Sequence, residues 1–293
     1  MVIFNMVWWG WWWGSSIPDY LCFTAKTAWS TISLTKVWTP TDVTLETSTD
    51  WTTWTTYTFW TTITLSNVWD KIYWRNTSET DTWFSIAEWK NYKFVMTWLI
   101  YWSWDINFLL NKNSTTSVWS YYFAFLFQWC SSLISAPKLT ATSLWSFCYY
   151  HMFWNTRITI APELPATSLP VGCYYYMFRD CSSLVIWPSI PATSISSNSC
   201  GYMFKGCTSL ITLPLLKSLI LWYSTYINMF EWCSKIKLST TKTGEYQTAY
   251  RIPTSWTGSY QGYSLDNMFT STWWTFTWTP TINTTYYTSN AVV

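Results

Sequence analysis

Side chains that could do chemistry are few in this sequence and lie far apart. Eight cysteines occur without a Cys-x-x-Cys pair, and His151 is the only histidine. A zinc site needs closely spaced thiolates and imidazoles, and a serine–histidine–aspartate triad would have to use this one histidine. No Gly-x-Ser-x-Gly elbow and no phosphate-binding glycine loop is present. We therefore expect no catalytic residue, metal site or cofactor, and no enzyme activity.

The cysteines instead follow an internal repeat. All but Cys22 fall at recurring offsets, which predicts a ladder of small buried side chains. Disulfide bonds, and less readily a metal site, remain the alternatives for an even number of cysteines. The repeated positions are Cys130, Cys148, Cys173, Cys181, Cys200, Cys207 and Cys233.

One unit recurs between about Phe123 and Cys233 with a nearly constant period. The markers Phe127, Phe153, Phe178, Phe204 and Phe230 follow one another at intervals of 25 or 26 residues. A fixed period of this size, with leucine and cysteine at set offsets, is typical of leucine-rich repeats. Each unit can bury its apolar edge only against its neighbours. The sequence therefore predicts a leucine-rich-repeat solenoid over residues 123–235.

The units resemble the BspA-like leucine-rich-repeat surface proteins. The likeness rests on Cys-Ser-Ser-Leu-x-x-x-Pro from Cys130, on Pro-Ala-Thr-Ser-Leu at 165–169 and on Cys-Tyr-x-x-Met-Phe at 173–178. It implies a non-enzymatic surface protein for adhesion or recognition, with glycine in the motif that appears here as Met-Phe-Lys-Gly-Cys at 203–207. The apolar start is followed by tryptophans interleaved with Gly10 and Gly14. With these tryptophans read as glycine, the start also looks like some phage tail-associated proteins, so a tail-associated structural or host-recognition protein of a phage or prophage is the alternative.

The flanking segments predict a mainly β chain. Seven strand-like runs alternate with turn signals in residues 20–97 and predict a small antiparallel β-sandwich. Residues 98–122 are predicted to be a connector with a short amphipathic piece, and residues 236–293 a β-rich C-terminal cap. Residues 1–19, where tryptophans are interleaved with Gly10 and Gly14, are predicted to be a flexible leader that is glycine-rich if these tryptophans stand for glycine. The seven runs are Leu21–Ala25, Thr31–Lys36, Val43–Thr47, Trp54–Phe59, Thr61–Asn67, Lys71–Arg75 and Tyr92–Thr97.

Charge and hydropathy limit the kinds of partner and the location that we expect for the protein. The net charge is +2, and no cluster of lysine and arginine suggests a phosphate-binding stripe, so nucleic acid is not an expected partner. No apolar run reaches the roughly 18 residues that a membrane-spanning helix needs. The first 16 residues lack the positive start of a signal peptide. We expect an extracellular, cell-surface or virion protein that binds a protein or a glycan on another surface.

Tryptophan is anomalous, with 28 residues against 8 glycines. Several tryptophans stand where turn chemistry favours glycine, as in Asp50-Trp51, and Trp129 and Trp232 occupy the motif position of Gly206. We hypothesise that UGA codons read as glycine in the source organism are written here as tryptophan. Trp54 and Trp74 fit strands as they stand, which leaves 28 − 2 = 26 suspect positions. The alternative is a truly tryptophan-rich protein that uses exposed indoles as ligand platforms.

The predicted binding residues come from two parts of the repeat. Tyrosines recur beside Met-Phe; one per unit should pack inward and the others should line an outer face, where tyrosine offers a large contact area at a low entropic cost. Amphipathic cover for the solenoid is the alternative role. Variable strand positions supply the second group. The predicted residues are Tyr150, Tyr175, Tyr176, Tyr202, Ser135, Thr159, Ile186 and Thr212.

Overall fold

The computed structural model describes residues 20–37, 43–77, 90–103, 105–110, 116–213, 216–218, 220–237, 262–273 and 276–281. The predicted leader, residues 1–19, lies outside these residues, as do residues 238–261 and 282–293 of the predicted C-terminal cap. Within the described residues, no helix is long and apolar enough to cross a membrane.

The prediction of a mainly β chain with antiparallel sheets is confirmed. Eight strands precede one 3-10 helix, Ile106–Leu109, whose first turn is capped by the Asp105 carboxylate. The strands are β1 (Leu21–Ala25), β2 (Ser30–Val37), β3 (Leu45–Ser48), β4 (Thr55–Thr56), β5 (Ile63–Leu65), β6 (Lys71–Asn76), β7 (Asn91–Thr97) and β8 (Ile100–Ser103). Four two-residue strands follow: β9 (Ser117–Val118), β10 (Ser143–Leu144), β11 (Ser168–Leu169) and β12 (Ser194–Ile195).

Two antiparallel sheets form the first part of the molecule. Their strand orders are β4-β3-β6-β1-β8 and β5-β2-β7. In β2, Ser30, Ile32 and Leu34 alternate with more exposed residues, as expected for a strand with one face in the core. The sheets pack face to face, because the ring of Phe23 in β1 lies 5.0 Å from the ring of Phe94 in β7.

Strand β8 lies inside the predicted connector and was not predicted. It pairs with β1 on one side, from Cys22 opposite Ser103 to Ala25 opposite Ile100. On its other side Ile100 forms a parallel bridge with Leu133. Residues 98–122 therefore do more than connect, because this strand joins the antiparallel sheet to the repeated region.

The repeated units lie in parallel register. Ser143 and Leu144 pair with Ser117 and Val118, and an isolated parallel bridge joins Ile160 to Ile186. Between such bridges each unit has a run of consecutive turns, which we call a tandem-turn segment. The segments are 120–129, 146–155, 171–180, 197–206, 223–232 and 262–271. The last of these segments lies within the predicted β-rich C-terminal cap, where the described residues instead form one more unit: the Tyr226 N–H donates to the Ser264 carbonyl.

A column of phenylalanine rings runs through the units. Phe127, Phe153 and Phe178 stack at 5.6 and 5.5 Å between ring centroids, with interplanar angles of 8° and 2°. Phe94 of β7 stacks on Phe127 at 5.4 Å, and Phe269 stacks on Phe276 at 4.6 Å. The full column is Phe94, Phe127, Phe153, Phe178, Phe204, Phe230, Phe269 and Phe276. The core of the sheets and the core of the repeats are therefore continuous.

Candidate functional site

The tandem-turn segments position the tyrosines. Along each segment, backbone N–H groups alternate between two kinds of partner. The Tyr174 N–H donates to the carbonyl of Ser199 in the next unit, whereas the Tyr175 N–H donates to Gly172 three residues back. The alternation requires a left-handed residue at every fourth position, as at Gly172, Tyr176 and Asp180, with φ of 64°, 59° and 57°. Successive units therefore present equivalent side chains in columns.

Four of the predicted binding residues lie side by side in these columns. We call Tyr150, Tyr175, Tyr176 and Tyr202 the tyrosine ledge; all four are half-buried. Tyr150 and Tyr175 stack at 5.9 Å with an interplanar angle of 6°, and Tyr176 and Tyr202 stack at 4.5 Å and 25°. The four rings thus form one continuous, partly exposed aromatic cluster on the repeated units.

The inward tyrosines behave as expected. Tyr149, Tyr174 and Tyr226 are at most 1% exposed. Burial raises the pKa of all three phenols, so they stay neutral at any physiological pH. One tyrosine per unit thus belongs to the core in three of the units.

His151 is buried beneath the tyrosine ledge and packs against two of its rings. Only 7% of the residue is exposed, and its ring lies 4.1 Å from the ring of Tyr150 and 4.6 Å from that of Tyr176. Neither imidazole nitrogen has a hydrogen-bond partner within the described residues. Burial, with a smaller effect from the nearby Arg179, lowers the pKa of His151 to about 3. The imidazole is therefore neutral near pH 7 and acts as one more aromatic ring.

Two cations lie over the rings of Tyr176 and Tyr202 in the ledge. The Arg179 guanidinium carbon is 5.0 Å from the ring centre of Tyr176, and the Lys205 ammonium is 5.5 Å from that of Tyr202. Lys205 also pairs with Glu231 at 2.6 Å, and Glu231 accepts a hydrogen bond of 2.7 Å from the Asn228 amide. The charged groups thus hold the rings in place.

The other four predicted residues lie away from the ledge, near the parallel bridges. Thr159 and Ile186 are exposed, and the Thr159 carbonyl accepts from the backbone of the next unit. Thr212 is half-buried and accepts a hydrogen bond from the Trp187 indole at 3.0 Å. The Ser135 hydroxyl contacts the backbone of Trp102 in β8, accepting from its N–H at 2.7 Å and donating to its carbonyl at 3.0 Å.

All eight cysteines are buried and free. Four of the thiols form a column in which each donates a hydrogen bond to the backbone carbonyl of a phenylalanine earlier in the stack. Cys207 donates to Phe178 at 3.1 Å and Cys233 to Phe204 at 3.1 Å. The other two are Cys130 and Cys181. Burial raises the pKa of Cys181 to about 12, so its reactive thiolate is rare. The cysteines therefore pack as small apolar groups, and those of this column also tie neighbouring units together. Among the residues that the structure describes, no group of three His, Cys, Asp or Glu side chains is placed to hold a metal ion.

The two cations beside the ledge and the role of His151 were not predicted from the sequence. The histidine replaces the tyrosine found at Tyr176 and Tyr202, and this position was visible in the repeat alignment. Arg179 and Lys205 occupy the variable position of the Met-Phe-x-Gly-Cys motif. From the sequence alone, a basic residue at this variable position did not indicate a contact with a tyrosine ring, because that contact depends on how the units stack.

Comparison with known proteins yields no relative. No family model, no curated protein and no solved structure matches the chain.

Proposed function

We propose that the chain is a non-enzymatic recognition or adhesion protein of the BspA-like leucine-rich-repeat kind. In this proposal the stacked units form a solenoid that presents a repeat-built binding surface, and the protein acts outside the cell, at a cell surface or on a virion. The partner is a protein or a glycan on another surface.

The observation that carries the proposal is the register of the units. The Phe153, Phe178 and Phe204 N–H groups donate to Met177, Met203 and Met229 at 2.9, 2.9 and 3.0 Å. Equivalent residues of consecutive units therefore lie next to each other, which is the arrangement that turns a repeated sequence into a continuous surface.

The tyrosine ledge supports a binding role for that surface. Its rings are held by stacking and by Arg179 and Lys205, so little side-chain entropy is lost on binding. Later units carry Asn228 and Asn267 at the position of Tyr202, and Ala124 precedes Tyr150 in its column. The fold thus tolerates other residues at these positions, which supports a role for the tyrosines beyond packing.

The test uses substitutions that the repeat itself accepts. The full chain and its Tyr150→Ala/Tyr202→Asn variant are applied to arrays of microbial surface polysaccharides and of extracellular proteins. We expect the full chain to bind a member of one array and the variant to bind it at least about tenfold more weakly, as for an interface that loses anchoring aromatic side chains.

Tyr223→Ser is the matched control. Tyr223 is 49% exposed and lies outside the ledge, and its equivalents in earlier units include Ser146 and Ser197. This variant should bind like the parent. Equal losses in both variants, or no binding by the parent to any array member, would contradict the proposal.

A further inference from the structure

Left-handed backbone in the two antiparallel sheets falls on one residue type only. Among the described residues from 20 to 110, five have a positive φ and all five are tryptophans. The chain has no glycine between Gly14 and Gly172. The five are Trp29, Trp51, Trp60, Trp69 and Trp98, with φ of 62°, 70°, 71°, 75° and 59°.

These five positions lie in turns that the sheets need. Trp29 immediately precedes β2, Trp69 lies between β5 and β6, and Trp98 lies between β7 and β8. The Trp69 N–H donates to the Ala25 carbonyl at 2.8 Å, so its conformation is part of the pairing. Left-handed backbone is unfavourable for an L residue, because its Cβ approaches the following carbonyl oxygen, and glycine adopts it without that penalty.

In the repeats, one column of equivalent residues with left-handed backbone also favours glycine. Trp129, Asn155, Asp180, Gly206 and Trp232 are equivalent, with φ from 57° to 77°. Asparagine, aspartate and glycine are the types that tolerate this conformation best. At Gly206 an added Cβ would meet the side-chain carboxylate of Asp180, so that side chain would have to move.

Most of the indoles at these positions are exposed, whereas Trp51 is half-buried, with its ring centre 4.9 Å from that of Tyr73. The exposed fractions of Trp29, Trp98, Trp129 and Trp273 are 66%, 63%, 55% and 73%. Trp273 has φ of 54°. Tyrosines also occupy left-handed positions, but in the ledge Tyr176 packs between His151 and Tyr202, which offsets the backbone cost.

Two other tryptophans are buried in the core. Trp74 in β6 and Trp102 in β8 are 0% and 4% exposed. Trp102 lies 4.4 Å from Phe23 and 4.6 Å from Phe127, measured between ring centres. Trp102 is one of the 26 suspect positions, but it lies in the core, so the suspicion is wrong for this residue. Trp54, expected within a strand, lies half-buried just before β4.

We infer that eight positions of the functional protein carry glycine, decoded from UGA, whereas Trp74 and Trp102 are tryptophans decoded from UGG. The eight are Trp29, Trp51, Trp60, Trp69, Trp98, Trp129, Trp232 and Trp273. The exposed aromatic side chains of the binding surface are then the tyrosines, and the indoles at these eight turns are no part of it.

The experiment compares three proteins by thermal unfolding and by soluble yield: the chain as printed, a variant with glycine at all eight positions, and a Trp74→Gly/Trp102→Gly control. We expect the eight-glycine variant to melt several degrees higher, with Trp129→Gly alone contributing about 2–4 °C. The control should melt far lower or be insoluble, because it empties the core.

Opposite signs for the same chemical change make the test decisive. An eight-glycine variant that melts lower than the printed chain overturns the inference. If the printed chain does not fold, soluble and cooperative folding of the eight-glycine variant supports the inference, and its failure to fold overturns it. UGG codons at the eight positions in the gene overturn it as well. None of these outcomes depends on whether the tyrosine ledge binds a partner.

Discussion

At the scale of single residues, His151 shows how a polar side chain is converted into a packing element. Its ring is surrounded by the rings of Phe125, Tyr150, Trp154 and Tyr176. Protonation would place a charge in this cluster next to the Arg179 cation, which is why burial and Arg179 both lower its pKa. The ledge therefore depends on a neutral imidazole.

This dependence predicts a pH effect on stability. The pKa of His151 is about 3 in the folded chain and about 6.5 for an unperturbed histidine, so between these pH values the unfolded chain binds the extra proton. The stabilising contribution of neutral His151 to the free energy of unfolding is complete above about pH 6.5. Below that pH it falls by up to about 1.4 kcal/mol for each pH unit. His151→Tyr, which copies Tyr176 and Tyr202, should flatten the free energy of unfolding between pH 4 and 7 relative to the parent.

Denaturant titrations of both proteins at several pH values measure this difference. Carboxylates that titrate in the same range affect parent and variant alike, so the comparison isolates the histidine. An identical pH slope in the two proteins would show that the imidazole is protonated or exposed in the folded chain.

At the scale of elements, β7 and β8 belong to both parts of the molecule. Phe94, Ile100 and Asp105 contact Phe127, Leu133 and Lys138 at a constant offset of 33 residues. The Cys130 thiol donates to the Phe94 carbonyl at 2.8 Å, as later cysteines do to their phenylalanines. The stretch from β7 through β8 to Asp105 therefore serves as the layer on which the first repeat stacks.

Substitution of the phenylalanine at this junction tests the shared layer. Phe127 is fully buried between Phe94 and Phe153, so Phe127→Ala should lower the free energy of unfolding by about 3–5 kcal/mol. Phe204→Ala, inside the repeats, is the control and should cost about as much. Denaturant unfolding should remain a single transition in both variants. A loss below about 1 kcal/mol at Phe127, or separate transitions for the sheets and the repeats, would refute the shared layer.

The sequence was sufficient for the periodic elements and insufficient for the aperiodic ones. Alternating side chains located the strands from β1 to β7, and the spacing of phenylalanine located the units. Strand β8 has four residues and lies between Trp98 and Trp104, two suspected glycines, so its pattern favoured a connector. The tandem turns were hidden because glycine marks only Gly172 and Gly206 among the left-handed positions.

The candidate site followed the same rule. The recurrence of tyrosine beside Met-Phe identified the residues of the ledge, because the period alone places equivalent side chains in columns. Which tyrosine faces inward depends on the turn geometry, and the pairing of Tyr176 with Arg179 depends on two residues three positions apart in a non-helical backbone. Neither is encoded in a local pattern.

At the scale of the whole molecule, one apolar core extends from Leu21 in β1 to Phe276. Each layer is held to the next by backbone hydrogen bonds, a phenylalanine ring and, in several layers, a cysteine thiol. The surface that we propose for recognition exists only while consecutive layers stay in register, since the ledge combines residues of three units. The register of the repeats is thus the central claim.

Amide hydrogen exchange tests that claim most directly. The Phe153, Phe178 and Phe204 N–H groups bond only to carbonyls of the next unit among the backbone bonds described. If the units stack in register, these three amides should belong to the slowest-exchanging class and report the free energy of global unfolding. Their exchange within minutes in the folded protein, while strands β1 and β6 stay protected, would contradict the account.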